Sequence, residues 1–279
     1  MAFKASRVRQ RRAPEPIGRG KPIIPSAAVE IWYRKQMLSL AKAMLADYKE
    51  QIHKVLASNV AKNFYAHDAS INSLFQATLN SLQQRWSKLF EAFADKIAPE
   101  FVDRTDGAAT TAALHSLSTA GLKQPVATYT EGVRQTLQAS KTYNHTLITN
   151  ISQEVHEKVF SAVMLSLTSP NPEEQGIAGI SNALRKATDF SEDRIKLIAK
   201  DQTSKIYSAL SDERMIQNGV EEFEWMHSSA GKVPRQSHLE KNGEIFKIND
   251  PRLWEGPKAD QGPPGWAINC RCRKVPIIR

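Results

Sequence analysis

Two histidines and two cysteines near the end of the sequence are the side chains best suited to chemistry. They are His227, His238, Cys270 and Cys272. Imidazole nitrogens and thiolates are preferred zinc ligands, so this set matches a Cys2His2 site in number. The spacing argues against zinc, because ligand pairs usually lie two to four residues apart, whereas one residue separates Cys270 from Cys272. Alternatively, the thiols pack as small apolar groups and the histidines form hydrogen bonds. We therefore expect no metal ion and no other cofactor.

A Cys/His nucleophile pair is the second chemistry that these residues allow. Arg271 and Arg273 adjoin the cysteines and would lower a thiol pKa, as a reactive cysteine requires. However, no nucleophile signature surrounds either cysteine. The sequence also contains no phosphate-binding glycine loop, and no paired carboxylates stand out for acid/base work. We therefore expect no catalytic residues.

Three tryptophans, Trp225, Trp254 and Trp266, occur in the same region of the sequence. Aromatic rings at these positions could stack on nucleic-acid bases. A small domain also needs large apolar side chains to build a core, and this interpretation is favoured. The tryptophans are therefore predicted to be core residues.

The elements that must hold these residues are short strands and turns. Residues 220–226 and 244–248 have strand character, with Asn242-Gly243 as a turn before the second. Residues 271–278 alternate in polarity and are predicted to form a closing strand. Together with a helix opened by a capping box at residue 189, they form a small α+β domain, predicted at 189–279.

Most of the preceding sequence is predicted to be helical. Apolar residues recur at spacings of three and four, which indicates an antiparallel set of helices over residues 26–188. Pro99 is predicted to end the second helix, because proline lacks an N–H and clashes with the preceding turn. Residues 175–187 are predicted to form a separate short helix before the one at 189. The predicted fold class is α+β, a mainly helical N-terminal body with a small α+β C-terminal domain.

The positive charge is concentrated in the first residues. The first 22 residues carry +6 of the net charge of +9, with Glu15 as the single acid. The basic residues are Lys4, Arg7, Arg9, Arg11, Arg12, Arg19 and Lys21. Residues 1–25, rich in proline and charge, are predicted to be a disordered arm that orders on an acidic partner, either nucleic acid or a protein groove. The alternative is a solvated leader that aids solubility. No apolar run approaches eighteen residues, so no transmembrane helix is expected, and no secretory signal precedes the body.

The residues after position 220 resemble, as an ordered set, one known domain. The set comprises Trp225, Arg235, His238, Gly243, Pro264, Gly265, Asn269, Cys270 and Cys272. It resembles the C-terminal domain of the phage Mu F-like head-morphogenesis (minor head) proteins. Residues 198–203 are similar to the helix that opens that domain, so the resemblance covers about residues 189–279. Some members carry an acidic residue where this chain has residues 229–232, and its absence argues against a metal or catalytic site.

The resemblance implies a minor head protein of a tailed double-stranded DNA phage. Such a protein would enter the head with the portal and act in head assembly and in genome packaging or ejection. It would be assembled in the host cytoplasm and lie inside the capsid near the portal vertex. The implied partners are the portal protein, the major capsid or scaffolding protein, and packaged DNA through the basic arm; no membrane is implied.

Some members of that family carry a toxin domain after the Cys-Arg-Cys element. Because the sequence ends seven residues after Cys272, none is expected here. Two other functions stay open: a zinc-dependent enzyme using the His/Cys cluster, and a general DNA-binding protein acting through the arm.

Overall fold

A computed structural model describes residues 18–57, 69–171, 176–229 and 233–279. Within these residues, the chain forms four long helices, one short helix and a small sheet. The helices are α1 (Ala27–Ala57), α2 (Ala69–Thr119), α3 (Glu131–Thr168), α4 (Gly176–Gln217) and the short α5 (Gln236–Glu240). The strands are β1 (Gly18–Arg19), β2 (Glu222–Met226), β3 (Ile245–Lys247) and β4 (Arg273–Ile278). The predicted fold class, a mainly helical body with a small α+β part, is confirmed.

Helices α1 to α4 form a bundle around one apolar core. On α1, Tyr33, Met37 and Met44 lie on the apolar stripe and are fully buried. The core also contains a few satisfied polar groups. The Tyr33 hydroxyl donates to Asn144 Oδ1 at 3.0 Å, and the Tyr48 hydroxyl lies 2.9 Å from Nδ1 of His156. These contacts hold α3 against α1 by hydrogen bonds as well as by burial.

Pro99 does not end the second helix, contrary to the prediction. It lies inside α2, which continues to Thr119. The buried side chains of Ala98, Phe101 and Val102 extend the apolar stripe past the proline. Burial of this stripe in the bundle outweighs a proline cost of about 3 kcal/mol.

Helix α4 is continuous across residues 188 and 189, where the sequence predicted a domain boundary and a new helix start. Its N-terminal half buries Ile180 and Ile195 in the bundle core. Near its C-terminal end, Met215 belongs to a second core beneath the sheet. One rigid helix therefore contributes to both cores, and the tertiary burial overrides the local capping signal. The helix ends before Asn218-Gly219, with Gly219 at a φ of 70°.

The four strands form an antiparallel sheet in the order β1-β4-β2-β3. Strand β2 is central, with Phe223 opposite Phe246 on one side and Pro276 on the other. Its alternation places Phe223 and Trp225 in the second core, where both are fully buried. The three strands predicted from the sequence are thus present, each within its predicted range.

The prediction of a disordered arm over residues 1–25 is wrong for the last residues of that range. Gly18 and Arg19 pair with Ile278 and Ile277 of β4, and Ile23 is buried. Arg19 also forms a bidentate ion pair with Glu224, at 2.7 and 2.8 Å. Pairing with β4 and the ion pair with Glu224 offset the entropy cost of ordering these residues. The composition of the segment does not reveal either contact. Five predicted arm residues, Lys4, Arg7, Arg9, Arg11 and Arg12, lie outside the described residues.

A buried ion pair joins the sheet to the bundle. The Lys274 ammonium, on β4, donates to Asp212 Oδ1 at 2.6 Å and to the Ser208 carbonyl at 2.9 Å, both on α4. Burial lowers the pKa of Lys274 and raises the pKa of Asp212, because low dielectric surroundings disfavour both charges. In the part of the chain that the structure describes, none of the helices has the continuous apolar length that a membrane span requires.

Candidate functional site

His238, Cys270 and Cys272 lie together in the interior of the C-terminal region. His238 Nδ1 is 3.6 Å from Sγ of Cys270 and 3.6 Å from Sγ of Cys272. The three donor atoms all lie within 4.8 Å of one another, and the three residues are 3–4% exposed. Helix α5 supplies the histidine, while the loop before β4 supplies the cysteines. We call this set the His-Cys-Cys cluster.

The orientation of the His238 ring is set by its surroundings. Nε2 lies 3.0 Å from the backbone carbonyl of Asp260, which can only accept, so Nε2 carries a hydrogen. The Trp225 ring packs edge-on against the imidazole, with ring centroids 5.1 Å apart. These contacts leave Nδ1 facing the two sulfurs.

The loop before β4 holds the cysteines through two residues with positive φ. Gly265, at 88°, directs its N–H to the Cys270 sulfur at 3.4 Å, and an added Cβ would lie 3.3 Å from the Ser204 carbonyl. Asn269 adopts a φ of 61°, and its Oδ1 accepts from the Lys200 ammonium at 3.2 Å. The predicted motif residues Gly265 and Asn269 therefore shape the backbone that presents Cys270, and Pro264 directly precedes Gly265 in the same loop.

The electrostatics of the cluster favour the deprotonated form of Cys270. The hydrogen bond from Cys272 lowers the pKa of Cys270, and the hydrogen bond with His238 acts in the same direction. The same hydrogen bond, together with burial, raises the pKa of Cys272. Burial alone would lower the pKa of His238, but hydrogen bonds to the Cys270 sulfur and the Asp260 carbonyl raise it. The arrangement therefore favours one thiolate beside a cationic or proton-sharing histidine.

Burial limits what this thiolate can do. A nucleophilic cysteine must contact its substrate, and reactive cysteines are partly exposed. Here Cys270 is 4% exposed, beneath the loop containing Gly265. The arrangement suits metal binding or a hydrogen-bonded core better than nucleophilic catalysis.

Asp260 is a residue of this site that the sequence reasoning missed. Its carboxylate accepts from Arg235 Nε at 2.7 Å and from the Ser237 hydroxyl at 2.7 Å, while its carbonyl binds His238. The one available signal was that Asp260 is the single acid in residues 256–265. The predicted motif residue Arg235 also donates to the Ile268 carbonyl at 2.8 Å, so it links the loop to α5.

Other predicted residues lie outside the cluster. His227 is half-buried, and its Nδ1 accepts from the Ser229 N–H at 3.1 Å. It lies outside the His-Cys-Cys cluster. Gly243, with a φ of 84°, donates its N–H to the Trp225 carbonyl as a turn residue. Trp225 is a core residue, as predicted. The core prediction is wrong for Trp254 and Trp266, which are 52% and 40% exposed.

Comparison with known proteins gives a family match over this region. Residues 173–275 match the model of the family described as "Phage Mu protein F like protein", which confirms the resemblance found in the motif. An "Uncharacterized protein" of Haemophilus influenzae is 30% identical over 268 residues, which cover 92% of this chain and 55% of that protein. The chain thus spans about half the length of this curated relative. No solved structure matches the chain.

Proposed function

We propose that this chain, whose residues 173–275 match the Phage Mu protein F like family, is a head-morphogenesis protein of a tailed double-stranded DNA phage. It is a non-catalytic virion component that binds the portal protein. It acts from the capsid interior near the portal vertex, in head assembly and in genome packaging or ejection. The family match is the observation that carries this proposal.

The shape of the helical body supports an assembly role. Helix α2 has 51 residues and α4 has 42, so they extend over about 75 and 60 Å. Long packed helices offer an extended, rigid surface for another protein. The buried cysteines, in contrast, offer no accessible nucleophile within the described part of the chain.

An exposed apolar patch supports protein binding by the C-terminal region. Trp254 and Trp266 pack edge to face, with ring centroids 6.4 Å apart, and both are exposed. Ile268, two residues after Trp266, is 54% exposed. Tryptophans are enriched among the residues that dominate binding energy at protein interfaces. We call Trp254 and Trp266 the tryptophan patch and assign it to the portal contact.

The basic N-terminal residues favour a second contact with packaged DNA. Lys4, Arg7, Arg9, Arg11 and Arg12 precede β1, which is fixed to the sheet edge. Phosphate neutralisation by such residues is independent of base sequence and releases counterions. This contact would supplement portal binding. If it were the only contact, the protein would instead be a general DNA-binding protein.

Co-expression of the full chain with the portal protein of the same phage tests the proposal. The tagged chain is purified after nuclease treatment, and the portal:chain ratio is measured by native mass spectrometry. Major capsid protein, co-expressed separately, serves as the matched comparison. A fixed ratio with portal supports the proposal. Recovery of DNA but no portal would overturn it in favour of a DNA-binding protein.

A further inference from the structure

We propose that His238, Cys270 and Cys272 bind a zinc ion that cross-links α5 to the loop leading into β4. This reverses the expectation drawn from the Cys-x-Cys spacing and is independent of any portal contact. All three donor residues are buried, and their donor atoms converge within 4.8 Å. Two thiolates and one neutral imidazole balance the charge of a divalent ion, which removes the cost of an isolated buried charge.

The sulfur–nitrogen distances fit a tetrahedral zinc ion. Zinc–sulfur bonds of about 2.3 Å and zinc–nitrogen bonds of about 2.0–2.1 Å place sulfur and nitrogen about 3.5 Å apart at a tetrahedral angle. The two sulfur–nitrogen separations to His238 are both 3.6 Å. The same separation also suits S–H···N hydrogen bonds, so the distances alone do not distinguish the two states.

The surroundings of the donors favour the metal-bound state. Zinc-binding histidines usually donate their other ring N–H to a carbonyl or carboxylate, and His238 Nε2 donates to the Asp260 carbonyl. Asp260 is itself held by Arg235 and Ser237. The Gly265 N–H points at the Cys270 sulfur. The fully buried indole N–H of Trp225 has no hydrogen-bond partner of ordinary geometry and lies by Cys272.

The local backbone removes the objection from spacing. In a regular strand, Cys-x-Cys would place both side chains on one face, spaced along the strand. Here Cys270 ends a turn, with its N–H bonded to the Ala267 carbonyl at 2.8 Å, and only residues from Arg273 onward are in β4. The positive φ of Asn269 redirects the chain, so both sulfurs approach the same imidazole nitrogen.

The fourth coordination position belongs to solvent. Among the described residues, the cluster contains only these three His, Cys or carboxylate donors. A cavity of about 10 Å³, lined by Cys272, Gly265 and Ser208, adjoins the cluster and has room for about one water molecule. Because the three donor residues are only 3–4% exposed, larger molecules do not reach the ion, and its role is structural.

Metal counting and cobalt substitution test the proposal on the full chain. Protein expressed with added zinc is dialysed against a weak chelator, and its zinc content is measured by plasma mass spectrometry. We expect about one zinc ion per chain. Replacement by Co²⁺ should give a thiolate-to-cobalt charge-transfer band and the intense visible bands of a tetrahedral ion. Less than about a tenth of an ion per chain, or a cobalt spectrum without the thiolate band, overturns the site.

Variants identify the ligands. Cys270→Ser and His238→Gln should each reduce zinc retention at least tenfold, whereas His227→Gln, a histidine outside the cluster, should retain it. Unchanged retention in both cluster variants overturns the assignment. If these variants fail to fold, the wild-type cobalt spectrum still decides. A zinc-free chain that co-purifies with portal would reject the metal site and leave the proposed function standing.

Discussion

The Lys274 ammonium lies 2.6 Å from Asp212 Oδ1 and is 2% exposed, so this pair joins β4 to α4 inside the protein. We expect Lys274→Met to destabilise the protein by about 3 kcal/mol, because Asp212 would be left without its partner. That value is at the low end for buried pairs, since the Asp212 side chain remains 18% exposed. Urea unfolding followed by circular dichroism measures the loss.

The double variant Lys274→Met with Asp212→Leu is the control for this pair. Removing both charges leaves no buried charge unpaired, so the double variant should recover most of the lost stability. If the double variant is less stable than the single one, the lost stability comes mainly from the ion pair itself and not from an unpaired carboxylate.

Acid should weaken the contact between Arg19 and Glu224. The hydrogen bond from Arg19 lowers the pKa of Glu224 below its usual value. A lowered carboxyl pKa means that the folded state binds the proton less tightly than the unfolded state. The stabilisation is therefore present above about pH 4.3 and is lost as the pH falls through the folded pKa.

Melting temperatures measured from pH 7 to pH 3 test this expectation. Glu224→Gln should flatten the acid side of the profile, while Glu221→Gln, at an exposed neighbouring position, should follow the wild type. Parallel acid profiles for wild type and Glu224→Gln would show that the pair contributes no pH-dependent stability. Because Arg19 is 54% exposed, the effect should be modest, below about 1 kcal/mol.

The salt dependence of DNA binding should reside in the residues before β1. Changing Lys4, Arg7, Arg9, Arg11 and Arg12 to Gln should reduce the slope of log affinity against log salt by up to about 0.9 per lost phosphate contact. Fluorescence anisotropy with a random-sequence duplex measures the slope. Arg19→Gln should change the slope much less, since Arg19 is paired with Glu224. An unchanged slope in the fivefold variant would contradict a DNA-binding arm.

The tryptophan patch should determine portal affinity. Trp254→Ala with Trp266→Ala should weaken portal binding at least tenfold, a typical cost for truncating a central interface aromatic. Because both side chains are exposed, the thermal stability should fall little. Surface plasmon resonance on immobilised portal measures the affinity, with Trp32→Ala in the bundle as the comparison. Equal affinity for wild type and the double variant would place the portal contact elsewhere.

Replacing either of the two helix-breaking residues of α2 should stabilise the protein. Pro99→Ala restores an N–H for the Asp95 carbonyl, and Gly107→Ala adds a Cβ where no atom lies within 4 Å. Each should stabilise the protein by up to about 1 kcal/mol if the helix is continuous. A loss of stability in both variants, measured by urea unfolding, would instead indicate the break that the sequence predicted.

The strands could be predicted from the sequence, but the long helices could be predicted only in part. The alternation around Phe223 and Trp225 is a local pattern, and the structure keeps it. Pro99 and the capping box at Asp189 are also local signals, yet both lie inside helices because the bundle buries the flanking apolar side chains. Local propensity therefore failed where burial between distant segments opposed it.

The candidate site shows the same limit. Residue type alone identified His238, Cys270 and Cys272 as candidate metal ligands. The spacing of the two cysteines predicted that they would not bind metal. The turn at Asn269 decides how the sulfurs approach the histidine, and a positive φ at a non-glycine residue cannot be read reliably from one sequence. Asp260 escaped notice because its contact with His238 runs through the backbone carbonyl, which any residue type could supply.

The pairing of Gly18 with Ile278 has a consequence for the order of folding. These residues are 260 positions apart, so β1 cannot find its partner until the ribosome has made almost the whole described chain. The helices can pack earlier, through contacts between neighbouring segments. Strand β1 then adds to the sheet last, through its pairing with β4 and the ion pair of Arg19 with Glu224. Strand β1 is also expected to separate from β4 first when force is applied, before the bundle or the rest of the sheet unfolds.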